Sequence, residues 1–256
     1  MAIYDLPGGK TKETDVSEER VLVIIPTYNE RENLPRIVPR VLAAHPGLEI
    51  LVVDDNSPDG TGLLAAGMAR DEPRVHALHL EGKGGLGRAY IQGFRWGLER
   101  DYALFFEMDA DLSHPPEKIP LMLEASRKHP VVVGSRYVGR RVNVVNWPLT
   151  RLIISVFGSI YARIITRLPV MDATGGFNLW RRDVLEAIPL HRIESNGYAF
   201  QVELKLRAWR KGFVPLEVPI VFTERETGDS KMSKTIVLEA VWKIWKLRIL
   251  DLFGRL

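Results

Sequence analysis

The chain has 256 residues, of which 46% are hydrophobic and 26% charged, as is usual for a globular protein. Its net charge of +3 is too small to indicate nucleic-acid binding, and without cysteine it has neither disulfides nor thiolate metal sites, which is typical of a cytosolic protein. Residues 1–19 are polar and mixed in charge, so we expect a flexible tail and no signal peptide. The longest uncharged apolar run, Leu152–Ala162, is far shorter than the roughly 20 residues that cross a bilayer, so we expect no membrane span.

Apolar, β-branched runs alternate with helical segments through the first half of the chain. We predict buried strands at 21–25, 50–53, 75–80 and 102–106, and helices that end near Ala44 and Arg100. This alternation predicts an α/β fold with a doubly wound, mainly parallel sheet flanked by helices.

Polar clusters follow each of the four strands. They are the Tyr28–Glu30 turn, the Asp54-Asp55 pair, the glycine-rich loop that carries Lys83, and Asp109 with Asp111. In sheets of this kind ligands bind beyond the carboxyl ends of the strands, so four clusters at that edge favour a binding site over unrelated surface turns. The chain lacks both the G-x-G-x-x-G spacing of dinucleotide-binding proteins and the phosphate loop of P-loop NTPases. We therefore expect an acidic nucleotide pocket in which Mg²⁺ or Mn²⁺ joins phosphates to carboxylates.

Asp109 and Asp111 are central to this prediction. They follow a strand directly and are two residues apart, so their carboxylates point the same way and repel each other unless a cation lies between them. A divalent metal site is one interpretation of the pair. The other is an Asx turn, with Ser113 or His114 capping a helix that opens at Pro115.

Basic residues are prominent in the second half of the chain. Arg136 follows a predicted strand at 131–134, and Arg151 lies on the first turn of a helix that opens at Pro148. Residues 225–231 have a cation at each end with glycine and serine between them, a composition that suits a loop closing over an anion. These cations favour a second phosphate-bearing ligand.

Three later segments complete the prediction. The helix at 198–210 carries Gln201 and Glu203, which we expect to be surface polar groups, and residues 214–222 contain two prolines and suit an edge strand. The helix at 235–253 bears tryptophans and basic residues, so it fits a membrane interface. It fits equally well a helix packed on its own domain or on a partner subunit.

Several motifs in order resemble family 2 glycosyltransferases of the GT-A fold, and most closely the polyprenyl-phosphate (dolichyl-phosphate) mannose synthases. The motifs are Pro26-Thr27-Tyr28-Asn29-Glu30, Val53-Asp54-Asp55-Asn56-Ser57, Lys83-Gly84-Gly85-Leu86-Gly87, Glu107 to Pro115, Gly134-Ser135-Arg136-Tyr137, Asp172 to Phe177, Gly197 to Gln201 and Arg225 to Lys231. The resemblance spans residues 21 to about 235. We accordingly divide the chain into the tail at 1–19, a GT-A catalytic domain at 20–234 and an amphipathic helix at 235–256.

The resemblance also implies roles for individual residues. The nucleotide-sugar site would comprise Pro26, Tyr28, Glu30, Val53, Asp55, Lys83, Asp109, Ala110, Asp111, Arg136, Arg225 and Lys231. The metal would be Mg²⁺ or Mn²⁺ on Asp109 and Asp111, which form the catalytic set together with Arg136, Arg225 and Lys231. The acceptor phosphate would contact Arg151, Ser155 and Ser230. Some family members have glutamine at the position of Ser113, which leaves a third metal contact from that side chain open.

The activity that the resemblance implies is transfer of mannose from GDP-mannose to a polyprenyl monophosphate, with inversion to a β-linked product. The acceptor phosphate is anionic at neutral pH, so this reaction needs cations more than a general base. Two alternatives stay open: a UDP-glucose-dependent glucosyltransferase of the same fold, and a binding subunit without turnover. We expect a peripheral protein on the cytoplasmic face of a membrane, held there directly or through a membrane-embedded partner.

Overall fold

A seven-stranded sheet forms the centre of the protein, with strand order β3-β2-β1-β4-β7-β5-β8. The coordinates are a computed structural model that describes residues 19–138, 142–145, 147–223 and 234–256. The strands are β1 Val21–Thr27, β2 Leu48–Asp54, β3 Val75–His79, β4 Leu104–Glu107, β5 Val131–Ser135, β7 Asn178–Arg181 and β8 Pro215–Pro219. Strands β6 Val144–Val145 and β9 Phe222–Thr223 form a separate parallel pair. Only β7 is antiparallel to its neighbours among these described strands, so the prediction of a mainly parallel sheet is confirmed.

Helices cover both faces of the sheet. They are α1 Leu34–Ala44, α2 Thr61–Asp71, α3 Leu86–Leu98, α4 Ile119–Ser126, α5 Leu149–Thr166, α6 Arg182–Ala187, α7 Gly197–Arg210 and α8 Lys234–Leu252. Alternate residues of each strand point to opposite faces. Val21, Val23 and Ile25 therefore pack towards α1, α2 and α4, whereas Leu22 and Ile24 pack towards α3, α6 and α7.

Helices α5 and α8 lie outside this sandwich and pack on α7. A third apolar cluster joins Ala162 of α5, Val202 and Leu206 of α7, and Ile244 and Leu247 of α8. The C-terminal helix thus packs on its own domain, and it begins one residue before the predicted boundary at 235. The division into a catalytic domain and a C-terminal helix stays a prediction.

Helix α5 is the longest apolar element of the chain. By length and composition alone its 18 residues suffice to cross a bilayer, and 17% of them are buried.

A short 3-10 turn at Pro116–Lys118 and α4 follow the Asp109 and Asp111 motif, but no side chain caps either of them. The prediction that Ser113 or His114 caps a helix is therefore wrong.

Candidate active site

One cavity of about 420 Å³ lies at the carboxyl ends of β1, β2, β4 and β5 and extends to α5 and α8. Its lining includes eleven of the residues expected in the site: Pro26, Tyr28, Glu30, Asp55, Lys83, Asp109, Ala110, Asp111, Arg136, Arg151 and Ser155. Val53 is an exception, because its side chain is fully buried in the core on the α3 side of the sheet. Its side chain therefore does not line the cavity, and its predicted contact with a ligand stays a prediction. Arg225, Ser230 and Lys231 lie outside the described residues.

The end of the cavity near β1 and β2 is built around Asp55. Its carboxylate accepts hydrogen bonds from the backbone N–H of Gly84, at 2.8 Å, and of Gly85, at 2.6 Å. These bonds tie the glycine-rich loop to the end of β2. The Lys83 ammonium of that loop lies 3.8 Å from the centroid of the Tyr28 ring, a cation–π contact that places a positive charge at the cavity wall.

Asp109 and Asp111 both line the cavity where the chain leaves β4. Asp111 accepts hydrogen bonds from the backbone N–H of Ser113, at 3.2 Å, and from its hydroxyl. Asp109 accepts a hydrogen bond from the Tyr90 hydroxyl at 3.4 Å. Burial, together with the negative charge of Asp109, raises the pKa of Tyr90, so the phenol stays a donor.

The donor set fits a hard divalent cation. Both carboxylates of the motif line the same cavity, and carboxylate oxygens are the ligands that Mg²⁺ and Mn²⁺ prefer. Among the described residues, no group of three or more histidine, cysteine, aspartate or glutamate side chains is arranged to hold a metal by itself. Asp109 and Asp111 are the two residues of this motif that would hold such an ion.

A buried polar network lies beneath this motif and was not predicted from the sequence. Glu107 is fully buried, and its carboxylate accepts hydrogen bonds from Asn178, at 2.7 Å, Trp180, at 3.1 Å, and Gln201, at 3.2 Å. Lys205 donates to the carbonyl oxygen of Gly175 at 2.7 Å. Burial raises the pKa of Glu107 to about 7 and lowers the pKa of Lys205 to about 8.

The expectation that Gln201 and Glu203 are surface groups is wrong. Gln201 is 2% exposed and lines the cavity, and Glu203 is 3% exposed and forms an ion pair with Arg207 at 2.6 Å. Helix α7 is covered by the sheet on one side and by α5 and α8 on the other. Its polar side chains therefore need buried partners, as buried charges in general do.

Arg136 is a fixed part of the cavity wall. Its Nε and Nη2 atoms donate to the two carboxylate oxygens of Asp172, each at 2.7 Å, and its Nη2 also donates to Thr174 at 3.1 Å. Burial alone would raise the pKa of Asp172, but the Arg136 guanidinium overrides this and lowers it. The positive charge of Arg136 is thus shared between Asp172 and the cavity.

The basic and hydroxyl residues of α5 face the same cavity. The Arg151 guanidinium lies 4.4 Å from the Trp147 ring centroid, and Ser155 accepts a hydrogen bond from Tyr137 at 2.7 Å. Beyond them the cavity continues between α5 and α8, where Ile154, Gly158, Tyr161, Val241 and Ile244 line it. The polar end of the cavity therefore leads into an apolar groove.

Several lining residues were not expected from the sequence. They are Thr27, His114, Trp147, Thr174, Tyr198 and Phe222, besides Gln201. Thr27, His114, Thr174, Tyr198 and Gln201 stand within the recognised motifs, so their positions were the signal available. Trp147 and Phe222 lie outside those motifs, and no local pattern brings them to the site.

The fold and the site together define a glycosyltransferase of the GT-A fold, and comparisons with known proteins identify its family. The profile of the glycosyl transferase family 2 matches residues 22–188. The chain belongs to this family.

Named relatives confirm the resemblance to the polyprenyl-phosphate mannose synthases. The chain is 49% identical to the polyprenol monophosphomannose synthase of Mycolicibacterium smegmatis, with 94% of this chain and 92% of the relative covered. It is 54% identical to the undecaprenyl-phosphate mannosyltransferase of Micrococcus luteus, with 87% and 91% covered. It is 38% identical to the dolichol-phosphate mannosyltransferase of Pyrococcus furiosus, with 89% and 63% covered.

Solved structures support the fold alone. The glucosyl-3-phosphoglycerate synthase of Mycobacterium tuberculosis in complex with UDP superposes with a TM-score of 0.68 at 15% identity, covering 96% of this chain and 87% of that protein. Its complex with Mn²⁺, UDP-glucose and phosphoglyceric acid gives the same TM-score, covering 91% and 81%.

Proposed function

We propose that the protein transfers mannose from GDP-mannose to the phosphate of a polyprenyl lipid, with inversion at the anomeric carbon. The observation that carries this proposal is the continuity of the cavity. It runs from the strand ends at Tyr28 and Asp55, past Asp109 and Asp111, to Arg151 and on into the apolar groove between α5 and α8. A nucleotide sugar and a lipid phosphate can meet end to end along such a path.

The donor occupies the half of the cavity next to β1 and β2. Tyr28 offers a ring for the base, and Lys83 brings a cation close to it. Asp109 and Asp111 would hold Mg²⁺ or Mn²⁺, which would supply positive charge to stabilise the leaving diphosphate. The relatives named as mannosyltransferases support mannose as the sugar.

The acceptor phosphate binds next to Arg151 and Ser155 on α5. A phosphate monoester carries a charge of about −1.5 to −2 at pH 7, so it attacks without first losing a proton. The chain's part is to draw this anion towards a second anion, which requires cations from Arg136 and Arg151 and from Arg225 and Lys231. Attack on the side opposite to the leaving diphosphate inverts the anomeric carbon.

The lipid reaches the site from a membrane surface. Helix α5 lines the cavity with one row of residues and exposes an apolar stripe on another side, formed by Leu149, Ile153, Phe157, Ile160 and Ile164. Their spacing of three or four residues places them on one face of the helix. Trp242, Trp245, Ile249, Leu252 and Phe253 are exposed on and after α8. An apolar surface bearing tryptophan suits the interface of a bilayer, here its cytoplasmic face, or a membrane-embedded partner.

The test is a transfer assay with the purified protein, a polyprenyl phosphate and Mg²⁺ or Mn²⁺, with GDP-mannose and UDP-glucose offered separately. We expect a mannolipid from GDP-mannose and loss of transfer in EDTA. Asp111→Ala should lower transfer by roughly 10²-fold or more, because it removes a carboxylate that holds the metal. Glu99→Ala is the matched control, since this carboxylate is 76% exposed and lies outside the cavity.

Each other outcome of this assay has a definite meaning. Transfer from UDP-glucose alone would make the protein a glucosyltransferase. No transfer from either donor, with nucleotide binding intact, would make it a binding subunit. Full activity of Asp111→Ala would remove Asp111 from the metal site.

A further inference from the structure

His114 lies beside Asp109 and has no part in the transfer described above. Its ring is 2% exposed, stacks on the Phe177 ring at a centroid distance of 5.2 Å, and meets the Phe222 ring edge-on at 5.3 Å. Its Nδ1 atom accepts a hydrogen bond from the backbone N–H of Asp109 at 3.0 Å. Two aromatic contacts and one hydrogen bond thus fix the plane of the imidazole.

The hydrogen bond also determines which ring nitrogen carries the proton. A backbone N–H group only donates, so the Nδ1 atom that faces it bears no proton. The proton of the neutral ring is then on Nε2, which lies 3.9 Å from the Oδ2 atom of Asp109. A protonated ring nitrogen has no free lone pair, so Nε2 cannot bind a metal in this state, and at 3.9 Å it makes no hydrogen bond with the Asp109 carboxylate.

We propose that His114 is a positioning residue of the metal site, which holds the backbone of Asp109 through Nδ1 and thereby sets where its carboxylate lies. Metal ligands are commonly oriented in this way by groups that do not touch the ion, and losing such a group typically weakens metal binding about 10- to 100-fold. The inference rests on the proposed role of Asp109 as a metal ligand. It assigns to His114 a contact with that ligand and none with the ion.

Three variants separate the Nδ1 hydrogen bond from the packing of the ring. His114→Asn keeps an acceptor near the position of Nδ1, His114→Gln keeps a polar amide only near the position of Nε2, and His114→Phe keeps only the aromatic packing. Mn²⁺ binding is measured for each by electron paramagnetic resonance with MnCl₂ in the presence of GDP, and thermal unfolding confirms that each variant folds. We expect the dissociation constant for Mn²⁺ to rise about 10- to 100-fold in His114→Phe and His114→Gln, which lose the Nδ1 acceptor, and by less in His114→Asn, which keeps it.

A spectroscopic measurement distinguishes positioning from direct ligation. In protein labelled with ¹⁵N-histidine, an imidazole bound to Mn²⁺ gives a ¹⁵N hyperfine coupling in pulsed spectra. His114 is the one histidine among the described residues that lines the cavity, so this signal reports on it alone. We expect no directly bound ¹⁵N in the wild type.

The outcomes separate this inference from the proposed function. A directly bound ¹⁵N, or wild-type Mn²⁺ affinity in all three variants, overturns the positioning role while leaving the metal site in place. Failure of the wild type to bind Mn²⁺ overturns both.

Discussion

The ion pair between Arg136 and Asp172 gives the sharpest test of how the cavity wall is held. Asp172 is fully buried and Arg136 is 5% exposed. Three hydrogen bonds join them: two from the guanidinium, each at 2.7 Å, and one from the backbone N–H of Arg136 at 3.0 Å. Asp172→Asn keeps the size of the side chain, but it removes the negative charge and turns an NH₂ group towards the guanidinium donors.

The expected cost follows from the burial of both partners. Removing one member of a buried ion pair leaves the other charge without compensation, which costs about 3–5 kcal/mol. A protein of 150–250 residues loses about 2–4 °C of melting temperature per kcal/mol, so Asp172→Asn should melt roughly 6–20 °C below the wild type. Glu186→Gln is the control, because it breaks the exposed pair between Glu186 and Arg182 on α6, worth about 0.3–0.5 kcal/mol.

The measurement is urea unfolding at pH 7 with thermal unfolding beside it. Asp172→Asn should lower the free energy of unfolding by several times the effect of Glu186→Gln. A loss below about 1 kcal/mol would refute the reasoning, because the Arg136 charge would then be compensated by water or by another carboxylate.

Three further changes test other parts of the molecule. An added Cβ at Gly158 would meet no atom within 4 Å, so Gly158→Leu should fold normally. Because Gly158 lines the apolar groove, the leucine side chain should obstruct it and lower transfer to a long polyprenyl phosphate more than to a short one. Gly158→Ala is the control. Phe157 is 65% exposed, so Phe157→Glu should leave the melting temperature unchanged but reduce co-sedimentation of the protein with anionic liposomes. Undiminished liposome binding would place the membrane contact elsewhere. Burial raises the pKa of Glu107 to about 7, whereas a glutamate in an unfolded chain has a pKa of roughly 4.3. The contribution of Glu107 to stability is therefore complete below about pH 4 and is lost as the pH rises through 7. The stability of the wild type relative to Glu107→Gln should therefore fall between about pH 4 and 7, and a constant difference would contradict the raised pKa.

The sheet and the polar strand ends could be predicted because their signals are local. Runs such as Val21–Ile25 are apolar on both faces of a strand, and the carboxyl ends of parallel strands meet at one edge of the sheet. This reasoning brought Tyr28, Asp55, Lys83 and Asp109 together correctly. The resemblance added Val53 to the site, and alternation along β2 turns its side chain into the core even though Asp55 reaches the cavity.

The interior of the site could not be predicted, because its contacts join residues far apart in the chain. Gln201 donates to Glu107 across 94 positions, and the same helix also carries Lys205 and Glu203 into buried ion pairs or hydrogen bonds. Taken alone, the alternation of polar and apolar residues in α7 is that of a surface helix. Its burial follows from α5 and α8, which cover the side that the sheet leaves open.

The charges of the cavity argue for an order of binding. Its described lining contains the carboxylates Glu30, Asp55, Asp109 and Asp111 against the cations Lys83, Arg136 and Arg151. Asp172 already balances much of the Arg136 charge, so this surface is acidic before any ligand arrives. A donor diphosphate and an acceptor phosphate each add negative charge, about −1.5 to −2 for the acceptor. We therefore expect a divalent ion and the donor to bind together first and the lipid phosphate second, because a divalent ion neutralises the two carboxylates Asp109 and Asp111.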